Sequence, residues 1–283
     1  MVRIRIVCVS HTHGYGPQDG AFKLPKSDVL IHAGDLSNQG TLSELRKAKE
    51  WIESADFEVK IVIAGNHDIT LDSNFYGLHW QSFHNQKPES SNECKDLFSK
   101  SSIIYLDHES AVIRLSRPDG PRSKFKIFES PSHCDQNKRG SLGCEYLRQA
   151  LWRVRPRLTV CGHVHEGRGF ERVRWNTAPQ SEAFQELSSV RGELPPPGSK
   201  KQNLIDLTGR IQHRLQNDGS LIPLLPMSTA YHAPLPAESN ASTPGRNETC
   251  IVNASIMATN WPHRGGKRFN NPLVVDLDLP ADE

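Results

Sequence analysis

The sequence predicts an α/β fold with a cluster of polar side chains at one edge of its sheet. Four apolar runs of strand character are each followed by a short motif that contains His, Asp or Asn. The motifs are Ser10–Gly14, Gly34–Asp35, Gly65–Asp68 and Gly162–His165. In open α/β sheets, ligands bind beyond the carboxyl ends of the strands. The four motifs therefore predict one shared site, and the alternative is that they cap unrelated loops.

The strands that lead into these motifs are expected at residues 2–9, 28–32, 59–64 and 157–161. The first run alternates and then becomes continuously apolar, which is typical of an inner strand buried on both faces. A glycine after each of the other three lets the backbone turn sharply and approach a bound ion.

Two helices are expected between the strands. Thr41 and Glu44 form the capping-box pattern, so the first helix begins after Thr41 and runs to about Ser54. The second runs from about Ser141 to shortly before Pro156, because proline interrupts a helix interior. Strand, helix and strand in this order indicate right-handed crossovers and a largely parallel sheet.

Composition divides the chain into three parts. Residues 1–176 carry most of the strand-like runs and form the predicted core. Residues 177–248 hold nine of the 19 prolines together with many Ser, Gln and Asn. Such a segment buries too little apolar surface to offset chain entropy, so we expect a largely disordered linker or insertion. Residues 249–280 are expected to return to the core.

Short apolar stretches refine this division. Within the proline-rich part, residues 204–207 and 221–225 are the pieces that could order locally. After it, residues 249–253 and 273–277 have strand character, and we expect them to join the core instead of forming a second domain.

Charge, hydropathy and cysteine content exclude several classes of function. The net charge of +2 and pI of about 8.2 come without a basic stripe, so nucleic-acid binding by bulk electrostatics is not expected. The sequence contains no apolar run of about 18 residues that would span a membrane. The chain starts with a strand and has six cysteines without a Cys-x-x-Cys pair, which favours a cytoplasmic protein. Its oligomeric state is left open.

The motifs resemble those of the calcineurin-like metallophosphoesterase superfamily, and within it the metallophosphoesterase-domain-containing branch. The resemblance covers residues 1–131, 133–176 and 249–280. Its most specific stretches are 60–68, 154–157, 161–169, 252–255 and 272–276. It implies a two-sheet β-sandwich flanked by helices, with a dinuclear metal centre at the carboxyl-terminal edge of the strands.

The resemblance also implies roles for single residues. The first metal would be held by His11, His13, Asp35 and His165. Asp35 would bridge to a second metal that also takes Asn66 and His163, and His67 would stand beside the leaving group. Two divalent transition metal ions (Mn, Fe or Zn) would activate a hydroxide for in-line attack on a small phosphodiester or nucleotide.

His11 departs from the family pattern, which has Asp at this position. A site of three imidazoles and one carboxylate suits Zn, Cu, Fe or Ni better than Mg or Mn. Alternatively, His11 swings away and the first site is weaker.

A second departure lies near residues 131–133, where the family has a further strand that ends in a metal-binding His. That segment is missing here, through a true deletion or a gene-model error, and the second metal site is expected to be weak. His133 is the nearest imidazole, either as a loop residue without metal or as a replacement ligand.

The third departure is Asn38, which stands where protein phosphatases of the superfamily have an Asp. The phosphate-gripping Arg of those enzymes is also absent, which argues against a protein phosphatase. Asn38 can hydrogen-bond His67 but cannot stabilise an imidazolium by charge. The sequence thus leaves two hypotheses: a phosphoesterase of reduced activity, with His67 and Asn38 as catalytic residues, or an inactive scaffold or binding protein of the same fold.

Overall fold

The structure is a computed structural model. It describes residues 1–85, 87–129, 136–137, 140–141, 145–177, 184–196, 199, 201–208, 215, 217, 246–259 and 262–282. The expected gap at residues 131–133, His133 and residues 221–225 lie outside the described residues.

The described residues form fourteen strands and four α-helices. The strands are β1 Val2–Val9, β2 Val29–Ala33, β3 Val59–Ile63, β4 Ile104–Leu106, β5 Ser110–Leu115, β6 Ser123–Phe128, β7 Gln136–Asn137, β8 Gly140–Ser141, β9 Leu158–Cys161, β10 Gly169–Trp175, β11 Glu186–Arg191, β12 Asn203–Asp206, β13 Glu248–Asn253 and β14 Leu273–Leu279. The helices are α1 Leu42–Ser54, α2 Ser73–His79, α3 Ser91–Ser99 and α4 Glu145–Val154.

Two mixed sheets organise the chain. The larger sheet has the order β12-β14-β1-β2-β3-β4, and the smaller has the order β11-β10-β13-β9. In the larger sheet β1 to β4 run parallel, as expected from the crossovers, but β14 pairs antiparallel with β1. In the smaller sheet β13 and β9 are parallel, whereas β10 is antiparallel to both of its neighbours.

The two faces of β1 enter two different cores, which explains its continuous apolar run. Ile6 and Cys8 face a core that also contains Val252 of the smaller sheet, so the two sheets pack on each other. Val7 and Val9 face the opposite core, where α1 and α3 cover the larger sheet. Successive side chains of a strand point to opposite faces, so residues 6–9 of β1, which are buried on both sides, are apolar at every position.

Helices cover the outer faces of both sheets. Leu147 and Leu151 of α4 pack against Val173 and Trp175 of the smaller sheet. The capping box of α1 is present: Thr41 Oγ1 accepts the N–H of Glu44 at 3.3 Å, and the Glu44 carboxylate accepts the N–H of Thr41 at 3.2 Å. Ser141, where the sequence predicts the start of the second helix, lies in β8, and α4 is described from Glu145.

Two strands lie in the range 177–248, where the sequence predicts mostly disorder. β12 contains the Leu204–Ile205 pair that was expected to order locally, and Ile205 is buried in the core between the sheets. β11 was not expected, because all six of its residues are exposed and leave no hydrophobic pattern to read. β13 and β14 both lie within the sheets. The domain boundaries themselves stay a prediction.

None of the helices in the described ranges combines the length and hydropathy of a membrane span.

The core on the helix side of the larger sheet can be tested with two leucines. Leu30 of β2 is 0% exposed, whereas Leu187 of β11 is 61% exposed. Leu30→Ala should lower the free energy of unfolding by roughly 2–5 kcal/mol, because it removes buried methyl groups and leaves a cavity. Leu187→Ala is the matched control and should change it by less than about 0.5 kcal/mol. Urea denaturation followed by circular dichroism measures both, and similar losses in the two variants would contradict this packing.

Candidate metal centre

The loops after β1 and β2 are held together by backbone hydrogen bonds. The N–H groups of His11 and His13 donate to the carbonyls of Gly34 and Asp35 at 3.0 and 3.1 Å. β1 and β2 are parallel, so both loops leave the same edge of the sheet. The first two predicted motifs therefore meet at this edge.

The smaller sheet is joined to the larger one at the same place. Ser10 donates its N–H to the carbonyl of Ala254 at 2.9 Å and accepts the N–H of Ile256 at 3.1 Å. The N–H of Ala254 in turn donates to the carbonyl of Cys161 at 2.8 Å. The segment after β13 thus lies between the ends of β1 and β9, and it brings the motif 162–165 next to His11.

Two glycines permit this close approach of the loops. A Cβ atom at Gly65 would lie 2.3 Å from the backbone nitrogen of Asp35. A Cβ atom at Gly162 would lie 2.6 Å from Ser10 Oγ and 2.9 Å from His11 Cε1. Any side chain at either position would push the candidate ligands apart.

Left-handed backbone conformations are concentrated in the motifs. Eight non-glycine residues have positive φ in the described part of the chain, and half of them are candidate ligands. These four are His11 at 59°, His13 at 46°, Asp35 at 58° and His163 at 72°. Each such conformation costs on the order of 1–3 kcal/mol and persists only where its surroundings fix it. The arrangement indicates that the direction of these side chains is under functional constraint.

A buried His–Asp pair forms the deep end of the site. His11 Nε2 lies 2.8 Å from Asp35 Oδ2, and both side chains are almost completely buried. The hydroxyls of Ser10 and Ser255 lie 3.0 and 3.2 Å from His11 Nδ1 and hold the other side of the ring. His11 therefore points into the site, so the structure does not support the alternative in which it swings away.

The predicted residues fall into overlapping groups. The donor atoms of His11, His13 and His165 lie within 4.8 Å of one another, and so do those of His13, Asp35 and His67. His67 was predicted to face the leaving group, but it lies as close to Asp35 as a ligand would. The assignment of single ligands to two ions stays a prediction.

Asn66 and His163 form a separate, exposed pair at the open end. His163 Nδ1 lies 2.9 Å from Asn66 Oδ1. Among the described His, Cys, Asp and Glu residues, His163 is not a member of either group of close donor atoms, although it and Asn66 both follow strands that end at this edge.

Backbone carbonyls fix the protonation of two of the imidazoles. Nδ1 of His13 lies 3.1 Å from the carbonyl of Ser37, and Nδ1 of His67 lies 2.8 Å from the carbonyl of Asn38. A carbonyl can only accept, so Nδ1 carries the proton in both rings and Nε2 carries the lone pair of the neutral form. This is the arrangement by which proteins orient metal-binding histidines.

Asn38 contacts His67 through its backbone and not, as the sequence suggested, through its side chain. Its amide Nδ2 donates to the carbonyl of His13 at 3.0 Å and to the carboxylate of Glu44 at 3.0 Å. The side chain of Asn38 therefore supports the loop of His13 and leaves His67 without a charged partner among these contacts.

Burial keeps two of the imidazoles neutral. It lowers the pKa of His13 to about 3 and the pKa of His165 to about 4. Burial alone would raise the pKa of Asp35, but the hydrogen bond from His11 and its charge outweigh burial and hold that pKa below its usual range. At neutral pH His13 and His165 thus offer neutral nitrogen donors beside the ionised carboxylate of Asp35, the forms that bind metal.

Asp68 is a structural residue of the site to which the sequence analysis gave no role. Its buried carboxylate accepts the N–H groups of Leu36, Ser37 and Gly65 at 3.1, 2.9 and 2.9 Å, and the Ser37 hydroxyl at 2.6 Å. It thereby ties the loop of Asp35 to the loop of His67. Burial and the charge of Asp35 raise the pKa of Asp68 to about 6. The position of Asp68 directly after Asn66 and His67 was the sequence feature that could have indicated this supporting role.

His32 is a second supporting residue that sequence reasoning missed. It is fully buried in β2, and its Nε2 lies 2.9 Å from the hydroxyl of Thr12, between the two histidines of the first motif. Burial lowers its pKa to about 3, so it is neutral. Because it lies inside a strand run, the sequence gave no reason to connect it with the site.

Comparisons with known proteins agree with this geometry. The sequence profile described as calcineurin-like phosphoesterase matches residues 4–167. The human metallophosphoesterase domain-containing protein 1 is 33% identical over 205 residues, which cover 58% of this chain and 61% of the human protein, and the mouse protein gives the same values. The chain also resembles a probable rhamnogalacturonate lyase C of Emericella nidulans, with 36% identity over 212 residues that cover 61% of this chain and 18% of that protein. The chain therefore matches less than two-thirds of the length of each of these relatives.

The role of Asp68 can be tested by Asp68→Asn. An amide nitrogen cannot accept hydrogen bonds, so at least one buried donor among Leu36, Ser37 and Gly65 would lose its partner. We expect a loss of roughly 1–3 kcal/mol in the free energy of unfolding. Urea denaturation at pH 7.5 measures it, since the carboxylate is ionised at that pH.

The control for this variant is Asp96→Asn on the surface of α3. The exposed Asp96 pairs with Lys100 one helical turn away. Such a surface pair contributes at most about 1 kcal/mol, so the control should change stability little. A loss in Asp68→Asn that is no larger than in the control would contradict the role of Asp68.

Proposed function

This chain belongs to the calcineurin-like phosphoesterase family, and on that premise we propose that it is a metal-dependent phosphoesterase that hydrolyses a small phosphodiester or nucleotide. The observation that carries the proposal is the convergence of His11, His13, Asp35, His67 and His165 from both sheets. We propose a cytoplasmic location and no nucleic-acid partner.

The donor set fits transition metal ions. Four of the five side chains are imidazoles, and Asp35 supplies the carboxylate. Imidazole donors suit Zn and Fe, and a carboxylate adds affinity for Mn. Such ions would supply positive charge to the phosphoryl oxygens and an acidified water as nucleophile. We infer two sites, the first tight and the second weaker, because the second lacks a ligand that the family supplies.

Asp35 and His67 would have different roles in the reaction. Asp35 is the one carboxylate among these donors, and its Oδ1 also accepts the N–H of His67 at 3.0 Å, which fixes the loop of His67. His67 lies at the half-open side of the site, where a leaving group would be placed. Its Nδ1–H donates to a backbone carbonyl, so Nε2 can accept a proton in the neutral form and donate it in the charged form.

The Emericella nidulans protein is named as a lyase, and we propose no lyase activity for this chain. The matched segment is 18% of that protein, so the name describes a molecule that is mostly different from this chain.

Metal content and hydrolysis test the proposal directly. Protein purified without chelators should retain at least about half an equivalent of a transition metal, and it should hydrolyse bis(p-nitrophenyl) phosphate when Mn or Zn is added. Metal analysis and release of nitrophenolate measure these two properties. Retained metal without hydrolysis would favour the inactive scaffold, and absence of both would overturn the metal site as well.

The variants Asp35→Ala and His67→Ala should distinguish a metal ligand, Asp35, from a catalytic residue that does not bind metal, His67. Asp35→Ala removes the carboxylate that faces both groups of donors, so metal content and turnover should fall together. His67→Ala should retain metal and lose turnover by roughly the 10²–10⁴-fold typical of a lost general acid. Elemental analysis and kcat are measured on the same preparations.

The control for this pair is His108→Ala, an exposed histidine beside Asp107 and Glu129 that lies outside the site. It should change neither metal content nor kcat. If His67→Ala loses metal as completely as Asp35→Ala, His67 is a ligand, as its distance from Asp35 allows.

A further inference from the structure

A lysine from the C-terminal part of the chain contacts Asn38, which borders the candidate metal centre. Lys267 Nζ donates to Asn38 Oδ1 at 2.6 Å and lies 5.3 Å from the centre of the Tyr15 ring. Asn38 in turn contacts His13 through its side chain and His67 through its backbone. Only Asn38 therefore separates the ammonium group from two residues of the candidate site.

The backbone around Lys267 is fixed. The N–H of Ala258 donates to the carbonyl of Arg268 at 2.7 Å, and the N–H of Asn270 donates to the carbonyl of Ile256 at 2.7 Å. Two residues further on from Lys267, Phe269 packs on the Tyr15 ring with 5.1 Å between ring centres. Lys267 thus lies after the segment that joins the two sheets beside Ser10. The contacts of its neighbours hold its backbone close to the site.

In the part of the chain that the structure describes, the charge of Lys267 has no counter-ion at bonding distance. None of the ion pairs formed by the described residues includes it. An ammonium group has three N–H donors, and the contact with Asn38 uses one of them. Half-burial lowers the pKa of Lys267, while the more distant Glu44 raises it, so the group is a partly desolvated cation with donors to spare.

Lys47 provides the contrast. It lies 5.7 Å from the centre of the same Tyr15 ring, but its Nζ is paired with the Asp19 carboxylate at 3.1 Å. Two lysines therefore border one aromatic ring. Lys47 is paired with a carboxylate, whereas Lys267 contacts Asn38 beside the site.

We propose that Lys267 is a specificity-determining residue that binds a second phosphate group next to the scissile one. The proposal rests on the phosphoesterase function and narrows its substrates to phosphoanhydrides and to esters that carry a neighbouring phosphate. Lys267 supplies a fixed positive charge near the position where the sequence shows no phosphate-gripping Arg. A phosphate oxygen would take the spare N–H donors and form a charge-assisted hydrogen bond.

Equilibrium binding of inorganic pyrophosphate and inorganic phosphate to the metal-loaded protein tests this, by calorimetry. Pyrophosphate carries the second phosphate, and phosphate lacks it. In Lys267→Met the affinity for pyrophosphate should fall roughly 10- to 100-fold, as expected for a hydrogen bond to a charged group, and the affinity for phosphate should fall less than about threefold. Lys47→Met is the matched control and should alter neither affinity.

The outcomes separate this inference from the proposed function. Equal weakening of both anions in Lys267→Met would show that Lys267 acts only by supporting Asn38, and no weakening of either would show that it does not reach the ligand; both overturn the proposal. A selective loss of pyrophosphate affinity supports it even if the wild-type protein hydrolyses neither bis(p-nitrophenyl) phosphate nor an ester that carries a neighbouring phosphate, in which case the phosphoesterase function alone is wrong.

Discussion

The site depends on the backbone hydrogen bonds of Ser10 with Ala254 and Ile256. These bonds place the segment after β13 beside the end of β1, and the bond from Ala254 to Cys161 places β9 on its other side. β1 and β9 belong to different sheets, and without this connection the histidines that follow them would not lie close together. The metal centre is therefore a product of how the two sheets meet at one edge, and the core between them holds that edge in place.

This edge concentrates features that are unfavourable elsewhere in a protein. Four candidate ligands have left-handed backbone conformations, and Asp35 is an ionised carboxylate that is almost completely buried. Burying a charge costs free energy unless the charge is paired and hydrogen-bonded. His11 pairs with Asp35, and Asp68 fixes the neighbouring loops with four accepted hydrogen bonds. These hydrogen bonds and the ion pair thus offset the free-energy cost of the backbone strain and of the buried charge. Such an arrangement is typical of a site whose geometry is set before a ligand binds.

The site is graded from a buried to an open end. His11 and Asp35 lie at the buried end, His67 and His165 are half-buried, and Asn66 and His163 are exposed. Donors with little access to water suit a tightly held ion, whereas the exposed pair leaves room for water and substrate. Lys267 and Tyr15 lie on the side of Asn38 and His67, so the aromatic and cationic groups border the region where a leaving group would be placed.

The sequence alone determined the elements that local patterns encode. The strands β1, β2, β3 and β9, the capping box of α1 and the polar motifs at the strand ends follow from hydrophobic periodicity and from residue types at fixed spacing. The tertiary structure decided what depends on contacts between distant segments. It set β14 antiparallel to β1, made a strand of the fully exposed β11, brought His67 near Asp35 and gave Asp68 its role. It also placed Lys267 against Asn38, 229 positions away in the sequence. No local pattern can report such a contact, because the free energy that holds it comes from the packing of the two sheets and not from the residues beside it in the chain.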